Sequence, residues 1–150
     1  MLRACKIYQN INYRFNYGDV FGAMVDMEGA ERKAAKDEPE IYGKLSDLRV
    51  STHSNLAAAK LKLNKFESVY DITSKIINEF DAGHMKALFM KGKACLKLRK
   101  LEESVEVLSK LNELYPNNQE FINELNYAKQ ELEAETRKKK NMFKKMIFSN

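Results

Sequence analysis

Few side chains in this sequence have reactive chemistry to offer. Nucleophilic or metal-bound chemistry would have to come from Cys5, Cys95, His53 or His84. The two cysteines fall inside apolar-periodic segments and not at a C-x-x-C spacing, which marks them as small buried thiols of a reducing compartment. Neither histidine has a carboxylate or cysteine at ligand spacing, so both read as structural or surface residues. No acid/base pair, activated nucleophile or metal site emerges, and no enzyme activity and no cofactor are expected of this segment. The one concentrated feature is cationic: Arg137, Lys138, Lys139, Lys140, Lys144 and Lys145 cluster near the end and account for the formal net charge of +5. The remainder is close to neutral, so the overall charge does not argue for nucleic acid.

Those residues need elements to position them. With only 2 prolines and 6 glycines in 150 residues, and Leu, Lys, Glu, Ala, Met and Asn supplying much of the rest, an all-α chain is expected. No apolar run approaches the length of a membrane span and no signal-peptide pattern opens the sequence, so the segment is expected to be soluble. An internal repeat sets the architecture. Asn55 to Leu63 (NLAAAKLKL) aligns with Met90 to Leu98 (MKGKACLKL), and the stretches NKFESV and RKLEESV follow. The 35-residue offset is the tetratricopeptide (TPR) period plus one loop residue, each unit being two helices joined by a short turn.

The pattern predicts repeats at about 4–36, 50–81 and 85–116, a Pro-marked helical extension near 36–46, and a basic helix over about 118–148 capped by Asn117 or Asn118. Gly92 is placed where two helices must approach closely, and Pro116 where the third unit closes. Together these describe one domain over residues 1–150, a three-repeat TPR superhelix of about seven helices with a long C-terminal capping helix. A concave groove would be lined by the first helix of each repeat.

Three stretches carry a family resemblance: Leu48 to Ala57 (LRVSTHSNLA), Leu61-Lys62-Leu63, and Lys86 to Gly92 (KALFMKG). They resemble the TPR domain of FKBP-type immunophilins, the multidomain peptidyl-prolyl isomerases, and Lys140 to Met146 resembles that family's tail helix. Within the family, the similarity is greatest to the membrane-anchored member of mitochondria and endoplasmic reticulum. The resemblance implies a cytoplasmic protein, or one on the cytosolic face of those organelles, with any isomerase domain outside these residues. It also implies a co-chaperone or adaptor role. Family members commonly grip the Met-Glu-Glu-Val-Asp tail of the 90-kilodalton heat-shock chaperones through a clamp of lysine, asparagine and arginine donors. Asn12, Asn55 and Lys86 match that clamp, whereas Tyr8 stands in place of the first lysine and Met90 in place of the arginine. Chaperone-tail binding is therefore expected to be weakened or lost, with a functional co-chaperone docked on that tail as the alternative.

Around these positions Lys62, Lys86 and Lys93 mix with Tyr8, Phe15 and Met90, a surface suited to an extended peptide carrying acidic and apolar residues. Lys91 points off this face, because consecutive helical residues diverge by about 100°. A nucleic-acid track is interrupted by Glu102, Glu103, Glu106 and Glu113. In the last helix Lys139, Lys140, Met142, Phe143, Lys144 and Lys145 form a basic amphipathic segment. That chemistry fits calmodulin, an anionic membrane surface, a membrane-proximal stretch leading to an anchor outside this chain, or a plain solvated extension of the helix.

Overall fold

Helix signals dominate wherever the backbone is described. The computed structural model describes residues 39–148, and among them every regular element is helical. In chain order these are α1 (Pro39–Lys62), α2 (Phe66–Glu79), α3 (Met85–Lys97), α4 (Leu101–Leu114) and α5 (Gln119–Phe148). Five helices stand where about seven are expected for the whole chain; the segment 4–36, expected to hold the first repeat, lies outside the described residues.

The chain divides into two compact units, Met1–His53 and Ser54–Asn150. In the first, the described residues are the opening of α1. It starts at Pro39, where a missing N–H costs no intrahelical bond, so the helix begins well before position 50. Inside it, His53 Nδ1 donates to the Arg49 carbonyl at 2.8 Å, which gives this histidine a structural use.

In the second unit, each helix from α2 onward packs chiefly on its neighbours in sequence. The α1–α2 and α3–α4 turns are built alike. Asn64 (φ 56°) and Arg99 (φ 60°) are the left-handed residues, 35 positions apart. Each turn closes with the same pair of hydrogen bonds, Lys65 N to Lys60 O and Asn64 N to Leu61 O in one, Lys100 N to Cys95 O and Arg99 N to Leu96 O in the other. This double closure satisfies the last carbonyls of the helix and reverses the chain in three residues. The backbone thus repeats with the sequence period.

The apolar seam runs through both pairs. Ala57, Val69, Met90 and Ala94 join the end of α1 to α2 and α3. Leu88, Leu96, Leu101, Leu108, Leu111, Phe121, Leu125 and Ala128 join α3, α4 and α5. At the tightest point, a Cβ on Gly92 would lie 2.5 Å from Leu108 Cδ2 and 2.6 Å from Cγ, so only glycine permits this approach. Ser104, fully buried, donates to the Gly92 carbonyl at 2.9 Å. Nearby Cys95 is buried and its thiol is pushed up to about 11, chiefly by burial and then by Glu103, which leaves it inert as a nucleophile.

A polar cluster ties three helices outside the seam. Lys91 Nζ lies 3.1 Å from Glu103, Tyr70 Oη donates to Glu103 at 3.0 Å, and the Tyr70 ring receives Lys100 Nζ at 3.6 Å. Burial pushes the Glu103 carboxyl up, but hydrogen bonds from Lys91 and Tyr70 outweigh it and hold the group below its ordinary value of 4.5. A depressed carboxylate stabilises the fold above the ordinary value and loses that contribution as pH falls through its folded value. The melting temperature of the native chain should therefore decline on acidification below pH 4.5, and Glu103→Gln should flatten that decline while lowering stability at neutral pH. Gly92→Ala should cost about 1–2 kcal/mol in urea denaturation, overpacking against Leu108 outweighing the gain in helix propensity. An unchanged midpoint would contradict the close-approach account.

Candidate peptide-binding groove

Successive first helices of the repeat pairs bring two donors together. Asn55 is exposed on α1, and Lys86 is exposed in the first turn of α3. Lys86 Nζ donates to Asn55 Oδ1 at 3.3 Å, a contact across 31 residues of sequence. That turn of α3 is fixed by His84, whose Nδ1 accepts from Ala87 N at 3.1 Å, so the second histidine is a helix cap. The bond to Lys86 occupies the Asn55 oxygen; the amide N–H groups of Asn55 and the remaining ammonium protons of Lys86 are the donors that can meet a carboxylate.

One turn along α3, Met90 departs from its assignment to the groove surface. It is 3% exposed and packed among Ala57, Val69 and Ala94, so its side chain serves the seam between the helix pairs. The physical reason is its apolar, flexible side chain, which fills the space between α1, α2 and α3. Tyr8, Asn12 and Phe15 lie outside the described residues. Lys62, the last residue of α1, is exposed.

Lys93 is half-buried and differently engaged. Its Nζ sits 4.3 Å over the Phe89 ring and within 3.8 Å of Glu120 and 3.9 Å of Glu124 on α5. Phe89 in turn packs on Phe121, with ring centroids 5.1 Å apart. Beyond Lys93 opens a cleft of about 580 Å³ between α3 and α5, with Leu61, Phe66, Leu96 and Tyr127 among its lining residues. Its charged rim holds both signs, Lys93, Lys97 and Arg99 against Glu124 and Glu131. The lining is polar and apolar in nearly equal measure and its charges almost balance, so the cleft offers Leu61, Phe66, Leu96 and Tyr127 to the apolar part of a side chain and little net charge to a second carboxylate.

Arg99, Glu120, Glu124, Tyr127 and Glu131 were not among the residues singled out from sequence. Arg99 reaches α5 with both arms, Nη1 to Glu131 at 2.6 Å and Nη2 to Glu135 at 2.7 Å. These hydrogen bonds raise the pKa of Arg99. The signal was available: Arg99 holds the turn position that Asn64 holds one period earlier, and Glu131 and Glu135 are one helical turn apart. Lys91 points elsewhere, into the Glu103 and Tyr70 cluster. Replacing Arg99 by Asn keeps a residue tolerant of the left-handed turn but cuts the tie to α5. Faster amide exchange in α5 from about residue 131 onward is expected, with the melting temperature little altered; unchanged exchange would show the clamp to be idle.

On α5, Asn118 Oδ1 accepts from Glu120 N at 3.0 Å and caps the helix. Past Thr136 every described residue is exposed, including Lys140, Met142, Phe143, Lys144 and Lys145; Lys139, also exposed, pairs with Glu135 at 2.8 Å.

No family model matches the sequence. Human peptidyl-prolyl cis-trans isomerase FKBP4 is 30% identical over 104 residues, 69% of this chain and 22% of the relative. FK506-binding protein 59 of Drosophila melanogaster is 30% identical over 101 residues, 67% of this chain and 23% of the relative. The chain thus spans less than a quarter of the length of these relatives. Among solved structures, the C-terminal TPR-containing domain of a Plasmodium falciparum FK506-binding protein superposes with a TM-score of 0.63 at 27% identity, covering 90% of this chain and 91% of that one. The helix pairs with their repeated turn, the sequence relatives and the structural neighbour together support an FKBP-type TPR domain.

Proposed function

We propose that this domain is the protein-binding module of an FKBP-like adaptor or co-chaperone, and that it holds an extended partner peptide in the groove lined by α1 and α3. The observation that carries this reading is the convergence of Lys86 and Asn55, two exposed polar side chains from different helices held 3.3 Å apart. Such a pair suits one carboxylate of a peptide, and the α3–α5 cleft suits an apolar side chain farther along it. Residues 4–36 complete the proposal as the first of three TPR repeats, with Tyr8, Asn12 and Phe15 as its peptide-binding candidates. The place of action proposed is the cytoplasm or the cytosolic face of an organelle.

The clamp is degenerate in this reading. Position 90 supplies no cation, and the Met90 side chain is turned into the seam. Lys93 already faces two carboxylates of α5. Each missing charge-assisted donor costs about 1.5–3 kcal/mol, enough together to weaken a micromolar peptide to roughly millimolar. Retention of Lys86 and Asn55 supports a second reading, a working co-chaperone docked on the acidic tail of the 90-kilodalton heat-shock protein.

Calorimetry separates the two. With the Met-Glu-Glu-Val-Asp peptide, a Kd near 1 mM or weaker is expected, on the order of the affinity left after two lost donors. Low-micromolar binding that Lys86→Ala abolishes would establish the second reading instead. Across an array of peptides bearing one carboxylate and one large apolar residue, the best binders should lose about tenfold in affinity with Lys86→Ala. Binding indifferent to Lys86 and Asn55 would rule out this groove.

A further inference from the structure

Apolar residues recur on the same side of α5 past the point where any described residue covers it. Phe121, Leu125 and Ala128 are buried, and Leu132 packs against the same cluster. At 100° per residue these four fall within an arc of about 60°, the face that α4 and α3 cover. Projected onward, the same side of the helix carries Met142, Phe143, Met146 and Ile147 across an arc of about 140°. Those side chains are 62%, 64%, 71% and 54% exposed. Between Leu132 and Met142 the same side carries Glu135, Thr136 and Lys139, so the stripe breaks there and resumes at Met142; the Lys139 ammonium lies 2.8 Å from Glu135.

The opposite side of this segment is mainly cationic, with Asn141 and the exposed Phe148 among its basic residues. Arg137, Lys138, Lys140, Lys144 and Lys145 occupy an arc of about 160°, and no carboxylate occurs in the sequence from 137 to 148. The result is an interfacial arrangement, with an apolar face about a third of the circumference wide, flanked by long cationic side chains able to reach sideways to the headgroups.

We propose that residues 137–148 of α5 form a docking surface for an anionic lipid bilayer, laying Met142, Phe143, Met146 and Ile147 into the interface while the flanking lysines meet acidic headgroups. Charge selects this occupant. A second copy of the same helix would bring like charges together with no carboxylate in the segment to pair them. An anionic bilayer offers an apolar interface and acidic headgroups on both flanks at once, matching the apolar face and the lysines on either side of it. The Arg99 tie to Glu131 and Glu135 adds a consequence: the segment extends as one helix from a fixed base, so a membrane-bound tail would hold the neighbouring solenoid at a defined orientation to the surface.

The test uses the whole 150-residue chain in vesicle flotation. Vesicles of phosphatidylcholine with about 30 mol% phosphatidylserine should carry the protein and vesicles of phosphatidylcholine alone should not, the binding weakening as salt rises. Phe143→Ser with Ile147→Ser should reduce partitioning more than about tenfold, since two interfacial apolar side chains are lost. Lys140→Gln and Lys144→Gln should each reduce it roughly fivefold. All four positions are exposed, so circular dichroism should show the helix content intact in every variant. Failure to float with anionic vesicles would overturn the proposal, as would equal flotation with neutral ones or indifference to the apolar substitutions. A calcium-dependent complex with calmodulin, or a concentration-dependent dimer, in the absence of flotation would overturn it in favour of that occupant.

Discussion

Close approach of α4 to α3 over Gly92 is the constraint from which the rest of the described structure follows. Leu108 occupies the space that any β-carbon at position 92 would take, and Ser104 uses the Gly92 carbonyl that this proximity exposes to it. A helix pair of this size cannot bury its apolar side by itself, so each pair must share a seam with the next. Met90 and Ala94 serve that seam on one side of α3, and Leu88 and Leu96 on the other. The donors on the exposed side of α3 inherit their positions from this packing, which is why Lys86 meets Asn55 without a direct link between their helices in sequence.

Alternate positions along α3 show how the solenoid divides one type of residue among different tasks. Lys91 is 12% exposed at its side chain and joins Tyr70 and Glu103, holding α2, α3 and α4 together away from the groove. Lys93, two residues on, rests over Phe89 and faces the carboxylates of α5. Lys86, a turn and a half earlier, keeps to the exposed end with Asn55. Of the lysines that the sequence assigns to the groove, Lys93 is balanced by the capping helix, whereas Lys62 and Lys86 stay exposed, Lys86 beside Asn55 of α1.

The capping helix has two halves with opposite relations to their surroundings. Phe121, Leu125 and Ala128 close the solenoid, and Arg99 binds the next two turns through Glu131 and Glu135. Beyond them the helix continues through a polar stretch, and apolar residues return to the same side from Met142 with no cover among the described residues. A backbone that satisfies its own hydrogen bonds can extend in this way at little cost, and the chemistry of its surface then decides what it meets.

Much of this was written in local patterns. Helical periodicity, a 35-residue period, Gly92, Pro116, an asparagine cap and the basic amphipathic end are all short-range signals, since each depends on residues within a turn or a repeat of one another. The repeated left-handed turn at Asn64 and Arg99 belongs with them, because identical spacing imposes identical geometry. Burial of Met90, the diversion of Lys93 toward Glu120 and Glu124, and the grip of Arg99 on α5 did not. Those outcomes depend on which faces of separate helices come to lie together, and that is set by how closely the seams pack, a property of the assembled helices and not of any one segment.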